Sequence, residues 1–86
     1  SVETTPRTAL SVTAESEVYL DNTPVALDQL AEAVRAFRLA QPAGRLELKA
    51  DEKAPLGTLV KVWDALAAAG LKVNTDVPTK ILLNPE

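Results

Sequence analysis

Apolar and polar residues alternate in the first folded part of the chain. Residues 8–14 alternate, and so do residues 17–20, where Tyr19 lies on the opposite face from Val18 and Leu20. A period of two residues is typical of a strand with one buried face. The two segments predict a β-hairpin, although the turn between them lacks the Gly or Asn that favours a tight hairpin turn.

The period then changes to that of a helix. Residues 21–24, Asp-Asn-Thr-Pro, predict a turn that ends the second strand. From Leu27 to Phe37 apolar residues recur at helical spacing, with acidic residues early and arginines late, which complements the helix dipole. Residues 41–44, Gln-Pro-Ala-Gly, predict the end of this first helix.

The second half of the chain repeats the change from strand to helix. Residues 45–49 alternate as a strand, residues 50–53 predict a loop, and Pro55 suits the first turn of a second helix. Gly70 falls where a left-handed residue commonly ends a helix. The apolar stripe of this helix consists of Leu59, Val62, Trp63, Leu66 and Ala69.

Two short strands are predicted near the end of the chain, at residues 71–74 and 80–83, with a turn at residues 76–78. The predicted order is β-β-α-β-α-β-β. We expect an α+β fold with a small mixed sheet of four to five strands and both helices packed on one face. The opposite face would carry Tyr19, Glu47 and Lys49.

Length and composition predict one domain. The chain has 86 residues, and residues 1–7 form a polar, Pro-containing segment that we interpret as a flexible linker before a domain at residues 8–86. Aromatic residues are few, namely Tyr19, Phe37 and Trp63, so the core must be mainly aliphatic.

The chain contains no His, Cys or Met. The usual catalytic triads, thiolate nucleophiles, haem ligands and common zinc sites are therefore excluded, and we predict no enzyme, no cofactor and no metal site. Asp51 and Glu52 are the only adjacent acidic pair. One pair supplies too few ligands for a calcium or magnesium ion, so we expect Asp51 to accept backbone N–H groups in the loop before the second helix.

The formal net charge is −3, with nine basic and twelve acidic residues interleaved along the chain. With no basic patch and few aromatic residues for base stacking, a nucleic-acid partner is not expected. No apolar run reaches the roughly 18 residues that a membrane span needs. These exclusions favour a module that binds other proteins.

Four stretches in order resemble the ExbD/TolR family of energy-transducing proteins. Residues 10–14 (Leu-Ser-Val-Thr-Ala) with residues 18–20 are similar to the opening hairpin of the family, and residues 23–30 lead into a helix as they do in the family. Residues 48–51 (Leu-Lys-Ala-Asp) and residues 57–70, which begin Gly-Thr-Leu-Val-Lys-Val-Trp-Asp-Ala-Leu, resemble its next strand and its second helix.

Two features depart from the family pattern. Ser16 stands where many members carry Gly or Asn, and the segment 74–86 is more apolar than expected.

The resemblance implies a periplasmic domain at the inner membrane of a Gram-negative cell. The full protein would have one transmembrane helix upstream of Ser1, pair with an ExbB-like membrane subunit and a TonB-like transducer, and form a homodimer. The complex would use the proton-motive force for uptake of iron-siderophore, haem or vitamin through outer-membrane receptors. The alternative is a TolR-like domain of the Tol-Pal envelope-integrity system that binds peptidoglycan.

The mechanism that we expect is strand addition, in which an extended peptide pairs with an exposed sheet edge. The candidate edges are residues 80–83 and residues 8–14. The candidate partner-binding residues are Tyr19, Lys80, Ile81, Leu82 and Leu83.

For three residues of the helical regions, a structural role has to be weighed against a functional role. Trp63 fits the core by its register, with a partner anchor as the alternative. Gly57 lacks the rest of a phosphate-binding loop, so we expect it to allow close packing against a strand. Lys61 is expected on a solvated helix face.

Overall fold

The computed structural model describes residues 6–83, and it forms a five-stranded mixed sheet with two helices. This confirms the predicted α+β fold. Residues 1–5 of the predicted linker and residues 84–86 at the end of the predicted domain lie outside the described residues. The elements are β1 (Thr8–Val12), β2 (Val18–Leu20), β3 (Thr23–Pro24), a 3-10 turn (Leu27–Gln29), α1 (Leu30–Ala40), β4 (Leu46–Asp51), α2 (Leu56–Ala68) and β5 (Thr79–Leu82).

The predicted hairpin is formed by β1 and β2, which pair antiparallel with Val12 opposite Val18. The Thr13 N–H donates to the carbonyl of Glu17 at 2.9 Å, and the intervening loop ends at Ser16 with φ 69°. A positive φ is what favours Gly or Asn at this position. Here the Ser16 hydroxyl also accepts a 3.0 Å hydrogen bond from the Thr58 hydroxyl, which ties the hairpin loop to the start of α2.

The strand order across the sheet is β3-β2-β1-β4-β5. β1 pairs with β4 and β4 with β5, both in parallel. The two crossover connections therefore step across the sheet in the same direction, and because such connections are right-handed, they place α1 and α2 on the same face. The predicted packing of both helices on one face is confirmed.

The core lies between that face and the helices. Alternate residues of β1 and β4, such as Leu10 and Leu48, are fully buried there. They pack with Leu30 and Val34 of α1 and with the buried stripe of α2. Thirteen residues form this cluster, and all are aliphatic, as the scarcity of aromatic residues predicts.

Residues 8–14 were a candidate edge, and the structure shows that this prediction is wrong. β1 lies in the interior of the sheet, between β2 and β4. The apolar residues of β1 determine which face of the strand is buried, but not which strands lie beside it. The second neighbour of β1 is β4, which lies more than thirty residues further along the chain.

Residues 71–74 do not form the predicted strand. Within them only Val73 makes an isolated bridge, to Val77. The Asp76 carboxylate accepts the Lys72 N–H at 2.8 Å, and Asn74 takes φ 69°, so the segment closes into a tight loop. Leu71 and Val73 of this segment are partly buried against the core cluster, and Val77, which follows it, is fully buried.

Residues 21–24, predicted as a turn, contain a turn followed by the two-residue strand β3. Asp21 has φ 57°, and Thr23 and Pro24 then pair with Leu20 and Tyr19. The β4 strand likewise runs two residues beyond its predicted end and includes Asp51. β4 is extended because it pairs with β1 on one side and β5 on the other. The local sequence pattern does not reveal this pairing.

The two helical glycines behave differently. Gly70 ends α2 with φ 89°, as predicted, while the Leu71 N–H donates to the carbonyl of Leu66. Gly57, by contrast, is exposed, and a Cβ at this position would meet no atom within 4 Å. The prediction that Gly57 packs closely against a strand is therefore wrong.

Candidate protein-binding edge of the sheet

β5 is the last strand of the sheet in the part of the chain that the structure describes. The carbonyls of Pro78, just before the strand, and of Leu82, at its end, accept the N–H groups of Leu48 and Glu52 at 2.8 and 2.9 Å. Successive residues of a strand direct their N–H and C=O groups to opposite sides. The even-numbered residues of β5 thus face β4, and the backbone groups of Thr79 and Ile81 face outward.

The side chains of β5 alternate between the two faces of the sheet. Ile81 is in register with Ala50, on the face covered by the helices, and Leu82 is in register with Asp51, on the open face. Ile81 is 52% exposed and Leu82 47% exposed, and Leu83, just past the strand, is 78% exposed. A strand with outward N–H and C=O groups and apolar side chains on both faces is a template for pairing with another chain.

Two further exposed apolar residues lie at the same end of the sheet. The hydrogen bond from Glu52 to the Leu82 carbonyl brings the end of β5 beside the segment that leads into α2. Leu56 and Val60, one turn apart at the start of α2, are 68% and 43% exposed. We call this set, Leu56, Val60, Ile81, Leu82 and Leu83, the apolar end.

Sequence reasoning identified the β5 half of the apolar end and missed the α2 half. The available signal was the i, i+4 spacing of Leu56 and Val60, outside the stripe that contains Leu59 and Val62. Both residues fit helical periodicity, so only the position of the helix on the sheet reveals that they are exposed.

Charged residues cross the open face next to β5. Glu47 Oε1 lies 3.2 Å from Lys80 Nζ, and Glu47 Oε2 lies 3.6 Å from Lys49 Nζ. Burial of the Glu47 carboxyl opposes its ionisation, but the hydrogen bond and positive charge of Lys80, helped by Lys49, outweigh burial and hold the pKa of Glu47 below its ordinary value. The ion pairs connect β5 to β4 on the face that the helices leave uncovered.

Tyr19 is not brought together with β5. It lies on β2, in register with Ser11 on β1 and Pro24 on β3, and it is partly buried on the open face as its alternation predicts. Three strand spacings separate β2 from β5, or roughly 14 Å. Tyr19 lies on the same face as Lys80 and Leu82. A single ligand can therefore contact Tyr19 and β5 only if it extends across the sheet.

The other edge of the sheet is β3. The Val25 N–H donates to the carbonyl of Val18 at 2.9 Å, so the alternation turns Pro24 outward. Proline has no N–H to donate. β3 also has only two residues, and it therefore offers very little to an added strand.

The remaining residues singled out in the sequence have structural roles. The Asp51 carboxylate accepts the Lys53 N–H at 2.8 Å, which confirms its predicted role in the loop before α2. Trp63 packs against the core cluster while remaining partly exposed, and Lys61 is exposed as predicted. Within residues 6–83, no group of three or more carboxylates comes together to hold a metal ion.

Two buried polar groups, the indole N–H of Trp63 and the hydroxyl of Thr79, have no hydrogen-bond partner among the described residues.

Neither α1 nor α2 is long and apolar enough to span a bilayer.

The order of elements and the sequence motifs on them agree with a known family. The family described as biopolymer transport protein ExbD/TolR matches residues 1–77. The chain belongs to the ExbD/TolR family. A relative from Vibrio cholerae serotype O1, biopolymer transport protein exbD2, is 36% identical over 63 residues, which cover 73% of this chain and 47% of the relative.

The chain thus spans about half the length of the curated relative that it matches. The family match ends at residue 77, just before β5 begins at Thr79. The edge strand of this ExbD/TolR domain therefore lies outside the segment that carries the family match, which agrees with the departure of residues 74–86 from the family pattern.

Proposed function

We propose that this domain binds an extended segment of a partner protein by strand addition at β5. The observation that supports the proposal is the outward backbone of Thr79 and Ile81 between apolar side chains on both faces. Main-chain hydrogen bonds would supply affinity, and the alternate side chains of the partner would contact Ile81 on one face and Leu82 on the other.

Family membership directs the choice of partner. We propose that the chain is part of an ExbD-like subunit of a TonB-ExbB-ExbD type complex. In this complex β5 would bind a TonB-like transducer in the periplasm. A transmembrane segment would bind an ExbB-like subunit, and the complex would use the proton-motive force for uptake of iron-siderophore, haem or vitamin. Two copies of the subunit would form a homodimer at the inner membrane.

The short edge suits reversible binding. β5 has four residues, so an added strand makes few ladder hydrogen bonds and covers an area well below that of a standard stable interface, about 1,200–2,000 Å². We expect a Kd on the order of micromolar to millimolar for an isolated peptide, because small areas and the cost of ordering the peptide both limit affinity. A subunit that must release its transducer in each cycle needs such a contact.

The test is a titration of the chain with a periplasmic peptide of a TonB-like protein, followed by amide NMR. The largest shifts are expected at Thr79 and Ile81, whose N–H groups face outward. Ile81→Pro removes an outward N–H, whereas the matched variant Ile81→Thr keeps that N–H and replaces an apolar side chain. We expect at least a tenfold weaker affinity for Ile81→Pro and a smaller loss for Ile81→Thr.

Thermal unfolding of both variants serves as the control for folding. If the peptide shifts amides elsewhere and leaves β5 unmoved, strand addition at this edge is wrong. If the peptide moves nothing while sedimentation shows a concentration-dependent dimer that Ile81→Pro disrupts, the edge serves a second copy of the chain instead.

A second candidate is peptidoglycan binding by a TolR-like domain. The observation that favours it is a row of residues in register across the open face, Tyr19, Ser11, Lys49 and Lys80. An aromatic ring beside hydroxyl and charged groups offers both an apolar face and hydrogen bonds to a sugar. Retention of the chain by isolated sacculi, reduced by Tyr19→Ala and unchanged by Ile81→Pro, would support this candidate.

A further inference from the structure

One flank of α2 faces the β5 edge of the sheet. α1 joins β3 to β4 and α2 joins β4 to β5, so α2 lies on the β5 side of α1. The Thr58 hydroxyl donates to Ser16 in the loop between β1 and β2 at 3.0 Å, which turns the Thr58 side of α2 away from β5. Leu56 and Val60 each lie two residues from Thr58, and at about 100° per residue they point about 160° away from it.

This flank of α2 is apolar and open to solvent. Leu56 and Val60 are both exposed. Trp63 lies seven residues after Leu56, and seven residues of a helix return to within about 20° of the same direction. Trp63 is partly exposed while it packs against the core cluster. We call Leu56, Val60 and Trp63 the outer flank, and tryptophan beside aliphatic residues is typical of the centre of a protein interface.

β5 has a helix-side residue that is only half covered. Ile81 is in register with Ala50 of β4, on the face that the helices cover. Ala50 and Leu48 are fully buried on this face, whereas Ile81 is 52% exposed. β4 has a strand on each side, while β5 has a neighbour only on its β4 side within residues 6–83. A strand added beside β5 would therefore place its own helix-side residues next to Ile81 and below the outer flank.

The spacing of the outer flank matches that of a strand. Leu56 and Val60 are four residues apart, or about 6 Å along the axis of α2. Successive side chains on one face of a strand are about 7 Å apart. A helix that joins two parallel strands runs back along them, so two successive helix-side residues of an added strand would each meet one of these side chains. On the open face the same strand would meet Leu82 and the ion pair of Lys80 with Glu47.

We propose that the outer flank makes the β5 site selective for extended segments with apolar side chains at alternate positions. Two apolar residues, at positions i and i+2 of the partner, pack between Ile81 and the outer flank, and the residues beside them face the open side. Charged residues at i and i+2 lose hydration there without meeting an opposite charge, so such segments bind more weakly. The inference rests on the proposed strand addition and adds the side-chain pattern that the partner carries.

The test adds two peptides, at up to millimolar concentration, to the 86-residue chain. One is Lys-Thr-Val-Thr-Val-Thr-Lys, and the other has Thr in place of both Val. Val and Thr are similar in shape and both suit a strand, so the peptides differ in polarity at two alternate positions. We expect the valine peptide to bind about tenfold more tightly, because two apolar side chains leave water.

The fluorescence of Trp63 reports on the outer flank directly. Trp63 is the only Trp of the chain, and neither peptide contains one. The emission should move to shorter wavelength with the valine peptide, because an apolar side chain replaces water beside the indole. The threonine peptide should cause a smaller change.

Two substitutions on α2 test which residues make the contact. Leu56→Ser and Val60→Thr should each weaken binding of the valine peptide about three- to fivefold and leave binding of the threonine peptide unchanged. Leu39→Ser, which replaces an exposed leucine of α1, is the matched control and should change neither. Thermal unfolding checks that all three variants are folded.

Amide NMR of Thr79 and Ile81 separates this inference from strand addition itself. If both peptides shift these amides and bind equally well, strand addition stands and selection by the outer flank is wrong. If neither peptide shifts them, strand addition at β5 fails and the selection fails with it. Equal losses for Leu56→Ser and Leu39→Ser would overturn the inference. A dimer of the chain alone that Leu56→Ser disrupts would also overturn it, because a second copy would then cover the flank.

Discussion

The two edge strands of the sheet, β3 and β5, differ in the backbone groups and side chains that they expose to solvent. β3 turns Pro24 outward, and β5 turns Thr79 and Ile81 outward, while the residues that flank Pro24 and Ile81 bond to the neighbouring strand. At Pro24 the outward position has no N–H, and the strand is two residues long. At Ile81 the outward position keeps its N–H, and apolar side chains flank it on both faces.

This difference shows that the sheet is protected at one edge and not at the other. Natural sheets blunt their edges with proline, short strands and charge, because an unpaired edge templates association. Only Lys80, on the open face, places a charge on β5, and Glu47 of β4 already pairs with it. We therefore expect any added strand to pair at β5 and not at β3.

The largest expected effect separates the inward and outward residues of β5. Leu82→Pro removes an N–H that faces β4 and should lower the free energy of unfolding by about 1–3 kcal/mol, because a buried acceptor on β4 loses its partner. Ile81→Pro should cost clearly less. Chemical denaturation of both variants measures the difference, and equal losses would mean that the assignment of outward and inward residues is wrong.

The next effect concerns the loop that leads to β5. Gly70→Ala should destabilise the domain by about 1–2 kcal/mol, because Gly70 has φ 89° and an added Cβ would lie 3.1 Å from Arg38 Nη1. Gly57→Ala is the matched substitution in the same helix and should stabilise by about 0.5–1 kcal/mol, since the new methyl meets no atom. Thermal unfolding should move in opposite directions for the two variants, and a shift of the same sign would contradict this account.

A smaller effect is expected at the protected edge. Pro24→Ile restores an outward N–H on β3 and should cost about 0.4–1 kcal/mol, because the unfolded chain gains conformational freedom. We expect no new peptide binding at β3, since two residues cannot hold an added strand. Amide shifts at residues 23–25 on titration with the peptide would show instead that proline alone protects this edge.

The smallest effect is the pH dependence of the contact between β5 and β4. The pKa of Glu47 is lower in the folded chain than its ordinary value of 4.5, so its contribution to stability is present above about pH 4.5 and is lost as pH falls through the lowered pKa. Because Lys80 is 63% exposed, water screens the pair and the contribution should be about 0.2–0.5 kcal/mol. The difference in stability between the native chain and Glu47→Gln should shrink in acid, and a difference that grows there would contradict the assignment.

Most secondary structure could be predicted because it depends on local patterns. The hairpin, both helices and the left-handed residue at Gly70 follow from periodicity and turn chemistry. Residues 71–74 could not be assigned in this way, because Val73 alternates as in a strand but is held in a loop by the bond between Lys72 and Asp76. Short apolar segments serve a core equally well from a strand or from a loop.

The candidate site could be predicted only in part. Residues 80–83 contain adjacent apolar residues that suit a strand, and the edge strand of the described residues is β5, at Thr79–Leu82. Residues 8–14 have an equally good pattern but lie in the sheet interior. Which strand is an edge depends on pairing between segments far apart in the chain, and the exposure of Leu56 and Val60 depends on where α2 rests.

The sequence by itself determined the α+β class, the aliphatic core and membership of the ExbD/TolR family, because each depends on residue types and their spacing along the chain. Only the tertiary structure decided that β5 is the accessible edge, that Pro24 closes the other edge and that Leu56 and Val60 are exposed beside the end of β5. These features arise from strand order and backbone direction, which long-range hydrogen bonds set and no local pattern encodes.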